Sequence, residues 1–143
     1  MGQAKALVDG LWATLESQRF EELGEVCSSE IAVTMPGGIS LRGVDQLGQV
    51  LRAYFAAFPD MRHEVVDFVE AGEKIALELQ VSGTHTGTMQ TPNGPIPATG
   101  RQIVWASVDF VTVAGGKIAS WHAYYDQLAF LAQLGLMPEP AMA

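Results

Sequence analysis

The chain has 143 residues, of which 48% are apolar, so we expect one domain spanning residues 1–143 with a substantial core. Its formal charge of −8 argues against a nucleic-acid partner and against an anionic membrane surface, because both require basic patches. A single cysteine, Cys27, excludes a disulfide framework, and the lack of a signal-like or membrane-spanning apolar run leads us to expect a cytoplasmic protein.

Helical periodicity dominates the first sixty residues. Apolar side chains between Ala4 and Leu15 recur every three or four positions, which predicts an amphipathic helix lying on a sheet. A shorter helical segment with Phe20, Leu23 and Val26 follows, and residues 31–35 read as a strand before a Pro-Gly-Gly turn. A second long helix is predicted from about residue 44, and a proline at position 59 ends it.

From residue 61 onward the apolar period changes to two, which is typical of strands. In the first of these strands His63, Val65, Asp67 and Val69 share one predicted face. In the next, the apolar residues between Ile75 and Val81 share a face that, continued by two, also takes His85.

Residues 86–101 are rich in Thr, Pro and Gly without periodicity, so we predict a long loop at the rim of the sheet. Residues 103–113 are apolar on both faces, which is typical of a strand covered on both sides. Because helices cover only one side of a small domain, the other face predicts a homodimer.

The last strand follows the Gly-Gly turn at residues 115–116, and a helix is predicted from Asp126 to Gly135. Two helices followed by antiparallel strands predict an α+β domain with helices on the concave face. Asp126 fits an N-cap of the last helix, with a place at the pocket mouth as the alternative.

Three motifs in order give the chain a family resemblance: Gly83-Thr84-His85-Thr86-Gly87, the stretch from Gly116 to Leu128, and Gln133-Leu134-Gly135. Together they resemble the SnoaL-like polyketide cyclases, a branch of the nuclear transport factor two-like superfamily. The resemblance covers residues 4–137 and implies a cone-shaped, curved antiparallel sheet wrapped around N-terminal helices. It supports the fold more than the reaction, because cyclases, isomerases, epoxide hydrolases, dehydratases and binding proteins share this fold.

Asp109 is the predicted catalytic base. It has the strand parity of Trp105 and Val111, so its carboxyl group is expected to face an apolar cavity, where desolvation raises a carboxyl pKa. The resemblance places Asp109 on a pocket histidine of the characterised cyclases. His85 is the second predicted catalytic residue, and His63 is expected in the same cavity, with either imidazole bonding a developing enolate oxygen.

Ala123 occupies the position at which the resemblance places the catalytic aspartate of both the cyclases and the limonene-epoxide hydrolases. A methyl group cannot transfer a proton, so neither family mechanism carries over intact.

The sequence therefore predicts a cofactor-independent acid/base enzyme of cyclase or isomerase type, acting on a small, largely apolar carbonyl or polyketide-like compound. The alternatives are a non-catalytic binding domain of the same fold and, less favoured, an epoxide hydrolase. No metal site or cofactor is expected. The predicted ligand-binding residues are Trp12, Tyr54, His63, Trp105, Trp121 and Tyr125.

Overall fold

The computed structural model describes residues 2–91 and 93–136. Within these residues, three α-helices lie at Gln3–Glu16 (α1), Val44–Ala57 (α2) and Gln127–Gln133 (α3), and a 3₁₀ helix lies at Phe20–Glu25. The eight strands in this part of the chain are β1 (Cys27–Met35), β2 (Ile39–Arg42), β3 (Arg62–Ala71), β4 (Lys74–Thr84), β5 (Met89–Thr91), β6 (Gly94–Ile96), β7 (Gln102–Ala114) and β8 (Lys117–Tyr125).

Six strands form a curved, unclosed sheet in the order β2-β1-β8-β7-β4-β3, which confirms the predicted α+β class. Neighbouring strands are antiparallel except β1 and β8, which run parallel to each other. β5 and β6 form a separate two-stranded sheet and, among the described strands, pair only with each other. The strands that carry Trp105, Asp109, Trp121 and Tyr125 of the predicted site, β7 and β8, therefore lie in the middle of the sheet.

The first two helices form where the periodicity predicts them. The apolar stripe of α1 packs against β3, β4, β7 and β8, and that of α2 packs on the 3₁₀ helix and β1. Each large apolar side chain buried in this way contributes about 1.5–3 kcal/mol. α2 ends at Ala57, and Phe58, the residue before Pro59, has left the helical conformation at φ −128° and ψ 76°. The buried stripe of α2 consists of Leu47, Gly48, Leu51, Phe55 and Ala57.

The prediction of a structureless loop over residues 86–101 was wrong in its centre. Met89–Thr91 and Gly94–Ile96 form a two-stranded hairpin, and the Thr91 hydroxyl donates to the Gly94 carbonyl. Strands of three residues are too short for a visible alternation. The same shortness explains why β2, an edge strand of four residues, was not predicted.

A β-bulge in β3 changes which of its side chains point to the inner side of the sheet. Val65 pairs with Leu79, but Asp67 already pairs with Glu78, so one extra residue is inserted between them. His63 and Val65 stay on the inner side, whereas Asp67 and Val69 are exposed. The single predicted face from His63 to Val69 was therefore wrong beyond the bulge.

In the part of the chain that the structure describes, each helix is too short or too polar to cross a bilayer.

Candidate functional site

Residues of α1, α2 and the concave face of the sheet line a small cavity of about 70 Å³, here called the inner cavity. Its wall is largely aromatic and aliphatic, with one carboxyl group and one imidazole. The residues of the wall are Trp12, Met35, Tyr54, Met61, His63, Leu79, Val81, Trp105, Ser107, Asp109, Trp121, Ala123 and Tyr125. All six residues predicted to bind a ligand, together with Asp109, are among them.

Asp109 lies in the wall of this cavity and is 2% exposed. The Ser107 hydroxyl donates to its Oδ1 at 2.6 Å, and the Trp121 indole N–H donates to its Oδ2 at 2.8 Å. Burial raises the pKa of Asp109, although these two hydrogen bonds and the nearby His63 oppose the rise. The site thus holds a carboxyl group that is harder to ionise than usual.

Ser107 is a site residue that was not predicted. It lies two positions before Asp109 on β7, so both side chains emerge on the same face. The alternation of side chains along the strand, which predicted that Asp109 faces the cavity, predicts the same for Ser107. The sequence pattern alone could therefore have identified Ser107.

Ala123 is the direct cross-strand neighbour of Asp109 in the register of β7 and β8. Directly opposed residues of antiparallel strands share a face, and Ala123 is buried in the wall of the inner cavity. Of the described residues in this wall, Asp109 alone carries a carboxyl group.

His63, on β3, is held by a partner from α1. Its backbone N–H donates to Glu16 Oε2 at 2.8 Å, and its Nδ1 lies 3.1 Å from the same oxygen. The imidazole also stacks on Trp12 with ring centroids 4.3 Å apart and an interplanar angle of 7°. Two separate contacts therefore fix the ring plane, and Nε2 remains for another partner.

Glu16, the last residue of α1, was not predicted because it lies 47 residues from His63 in the chain. Partial burial alone would raise the pKa of Glu16, but the side-chain and backbone hydrogen bonds with His63 outweigh burial and lower it. Glu16 is therefore a carboxylate beside the imidazole near neutral pH.

His85 lies elsewhere. β4 ends at Thr84, and the described walls of the inner cavity do not include His85. Leu77 is the residue opposite Asp109, and His85 lies eight positions further along, roughly 25 Å in an extended strand. The predicted convergence of His85 with Asp109 is therefore not observed.

The contacts of His85 connect the end of β4 to the segment before β7. Its Nδ1 accepts from the Thr99 backbone N–H at 3.2 Å, and its ring packs 5.2 Å from that of Phe58. Burial lowers the pKa of His85, so the imidazole is neutral near pH 7. These contacts are those of a buried histidine that orders a connection.

A larger depression of about 470 Å³, here called the outer groove, adjoins the inner cavity. It lies between α2, the β5–β6 hairpin and α3. Its described lining residues are Ile39, Val50, Ala53, Tyr54, Met89, Gln90, Thr91, Asn93, Gly94, Pro95, Ile96, Tyr125, Gln127, Phe130, Leu131 and Leu136. Of these residues only Tyr54 and Tyr125 were predicted, and seven of the others belong to the β5–β6 hairpin, which was itself not predicted.

The described residues contain no group of three or more His, Cys, Asp or Glu side chains that could hold a metal ion. What the inner cavity offers chemically is a buried carboxyl group, an oriented imidazole and aromatic walls. This set can move a proton on an apolar molecule.

Residues 5–134 match the family model of the SnoaL-like polyketide cyclases. No curated protein matches the chain in sequence.

Among solved structures, wild-type IdmH from Streptomyces antibioticus is 27% identical, with a TM-score of 0.78 and coverage of 93% of this chain and 99% of that one. A protein from Jannaschia sp. CCS1 named as a SnoaL-like polyketide cyclase is 17% identical, with a TM-score of 0.83 over 95% and 94% of the two chains. An LEH-like epoxide hydrolase from M. tuberculosis is 14% identical, with a TM-score of 0.72 over 94% and 90%. The last two similarities concern the fold alone.

Proposed function

Since the chain belongs to the SnoaL-like polyketide cyclase family, we propose that it is a cofactor-independent acid/base enzyme of the cyclase or isomerase type. Its substrate would be a small, largely apolar carbonyl or polyketide-like compound. The observation that carries the proposal is Asp109, a buried carboxyl group of raised pKa in the wall of an otherwise apolar cavity. A carboxyl group tuned in this way is suited to proton transfer near neutral pH.

In the proposed step, ionised Asp109 removes a proton from the carbon next to the substrate carbonyl. The C–H electron pair forms the enolate double bond, and the carbonyl oxygen takes the negative charge. His63, whose Nδ1 lies 3.1 Å from Glu16 Oε2, would donate a hydrogen bond from a protonated Nε2 to that oxygen. This role falls to His63 because His85 is distant from Asp109.

The single carboxyl group of the inner cavity limits how the proton can move. With Ala123 opposite Asp109, the described wall has no second carboxyl group to protonate the product. Asp109 would therefore return the proton it has taken, either to another carbon, as in isomerisation, or to the new alkoxide, as in cyclisation.

The test is proton–deuterium exchange of the acetyl group of 2-acetylnaphthalene in D₂O, followed by proton NMR. We expect Asp109→Asn to abolish the catalysed exchange while keeping the fold and most of the binding, because the amide is nearly isosteric but cannot accept the proton. The wild-type rate should fall as the pH drops through the raised pKa of Asp109, because only the ionised form is a base. Equal exchange in the two proteins would exclude this mechanism.

A non-catalytic binding domain is the second candidate, and one observation favours it. Both oxygens of Asp109 already accept hydrogen bonds from protein groups, Ser107 and Trp121. If the wild type binds carbonyl compounds in an NMR titration but catalyses no exchange, the binding domain is the better description. Epoxide hydrolysis remains a weaker third candidate, because similarity to the M. tuberculosis enzyme is limited to the fold.

A further inference from the structure

The inner cavity is too small to hold a complete ligand of ordinary size. By the measure in which one water molecule needs about 10–15 Å³, its volume of about 70 Å³ admits only about five to seven heavy atoms. Ligand sites in proteins usually measure about 300–1,000 Å³, and the outer groove, at about 470 Å³, lies within that range. A substrate of ordinary size that reaches Asp109 must therefore extend beyond the cavity that contains Asp109.

Tyr54 and Tyr125 mark the boundary between the two spaces. Among the described residues, these two alone line both the inner cavity and the outer groove. Tyr54 belongs to α2 and Tyr125 ends β8, and their hydroxyl groups lie 3.2 Å apart. Burial raises the pKa of Tyr125, so its phenol stays neutral and able to donate to an oxygen atom.

The outer groove has a definite chemical character. None of its described lining residues carries a charged side chain. Aliphatic and aromatic side chains such as Val50, Phe130 and Leu131 form its walls, and the polar groups are amides and hydroxyls, among them Gln90, Asn93 and Thr91. Such a surface suits an uncharged, largely apolar group and disfavours a phosphate or a free carboxylate.

We propose that one ligand occupies both spaces at once, with a small carbonyl-bearing end in the inner cavity and an uncharged apolar body in the outer groove, and that it passes between Tyr54 and Tyr125. The assignment of the carbonyl end to the inner cavity rests on the proposed function. The side chains of the outer groove then determine which substrates bind. The hydrogen bond between the hydroxyl groups of Tyr54 and Tyr125 is replaced by hydrogen bonds from these hydroxyls to an oxygen atom of the ligand, at the point where the ligand passes between them.

Two ketones and two variants test this arrangement. Butanone and 2-acetylnaphthalene carry the same acetyl end, but only the second has a body large enough for the groove. Ala53→Trp places a large side chain in the groove from the exposed face of α2, whereas Ala56→Trp adds the same side chain at an exposed position that lines neither space. Thermal unfolding verifies that each variant is folded.

We expect Ala53→Trp to lower the ratio of the catalysed exchange rate of 2-acetylnaphthalene to that of butanone by about tenfold or more. Ala56→Trp should leave that ratio within about twofold of the wild type. An unchanged ratio in Ala53→Trp, or an equal loss for both ketones, would overturn the proposal.

Ligand-observed NMR titrations of the same two ketones separate the two hypotheses. If exchange does not depend on Asp109, the acid/base function fails, but a selective weakening of 2-acetylnaphthalene binding in Ala53→Trp still supports the shared site. If exchange depends on Asp109 and the selectivity is absent, the function stands and the two-space arrangement is wrong.

Discussion

Two carboxyl groups in and beside the inner cavity have pKa values shifted in opposite directions. Burial raises the pKa of Asp109 above the ordinary 3.8, so its ionisation in the folded state costs stability increasingly as the pH rises through that raised value. Hydrogen bonds with His63 hold the pKa of Glu16 below the ordinary 4.5. Glu16 therefore stabilises the fold above pH 4.5, and this contribution is lost as the pH falls through the lowered value.

Glu16→Gln tests the second of these effects. We expect the free energy of unfolding at pH 7 to fall by about 0.5–1.5 kcal/mol, because the charged partner of His63 is removed. The difference from the wild type should shrink at low pH, where Glu16 itself becomes protonated. Urea unfolding at pH 7 and at low pH measures both quantities.

Glu22→Gln is the matched control, because Glu22 forms an exposed pair with Arg19 at 3.4 Å. Its removal should cost less than about 1 kcal/mol, as for most surface ion pairs. If Glu16→Gln lowers the free energy of unfolding equally at both pH values, the charge of Glu16 does not account for its stabilising effect.

At the scale of elements, α3 depends on contacts at its two ends. The helix has seven residues, too few to be stable alone. At its start, Asp126 Oδ1 accepts from the Ala129 backbone N–H at 3.0 Å. At its end, the Gln133 side chain accepts from the Val104 N–H at 2.9 Å and donates to the Val104 carbonyl at 2.8 Å. Both ends thus position Phe130 and Leu131 over the outer groove.

Asp126→Ala should lower the free energy of unfolding by roughly 0.5–2 kcal/mol, the usual cost of a lost N-cap. Affinity for 2-acetylnaphthalene should change little. Asp126→Asn keeps an oxygen acceptor and should retain most of the stability. Full stability with lost binding in Asp126→Ala would show that Asp126 is a site residue instead of a structural cap.

Gln133→Leu should expose the backbone of Val104 to solvent and cost about 0.5–1.5 kcal/mol for each lost hydrogen bond. The amide of Val104 should exchange with deuterium faster, which NMR can follow residue by residue. Gln133→Glu, which keeps the acceptor but loses the donor, should give an intermediate effect. Unchanged protection of Val104 in Gln133→Leu would show that the contact does not hold α3.

At the scale of the whole molecule, the outer face of the sheet is unusually apolar. Val104, Val108, Phe110 and Tyr124 are all more than 40% exposed, and they belong to the two central strands β7 and β8. Phe110 and Tyr124 also contact each other edge to face at 6.2 Å. A continuous apolar patch on a central part of the sheet is typical of an interface, so we expect a second copy of the chain to cover it.

If the expected homodimer forms, Val108→Lys should convert it to monomers or cause aggregation, because it places a charge in the middle of the patch. Light scattering at micromolar concentration measures the mass of both proteins. Leu128→Lys, at an exposed position on α3, is the control and should not change the mass. A monomer mass for the wild-type protein would show that the dimer prediction is wrong.

The sequence alone determined the features that depend on local pattern. The period of apolar residues located α1, α2, β4 and β7, and strand parity placed Asp109 on the inner face of β7. The Asp126 cap followed from a polar residue directly before an apolar helical stripe. Each of these depends on residues within one or two turns or along one strand, where geometry follows directly from spacing.

Only the tertiary structure decided which distant residues meet. Glu16 and His63 are 47 residues apart and Tyr54 and Tyr125 are 71 apart, so no periodicity relates them. The bulge in β3 reversed the predicted face of Asp67, and the end of β4 left His85 far from Asp109. The register between strands, the position of a bulge and the docking of helices arise from packing across the whole core, and one chain segment does not specify them.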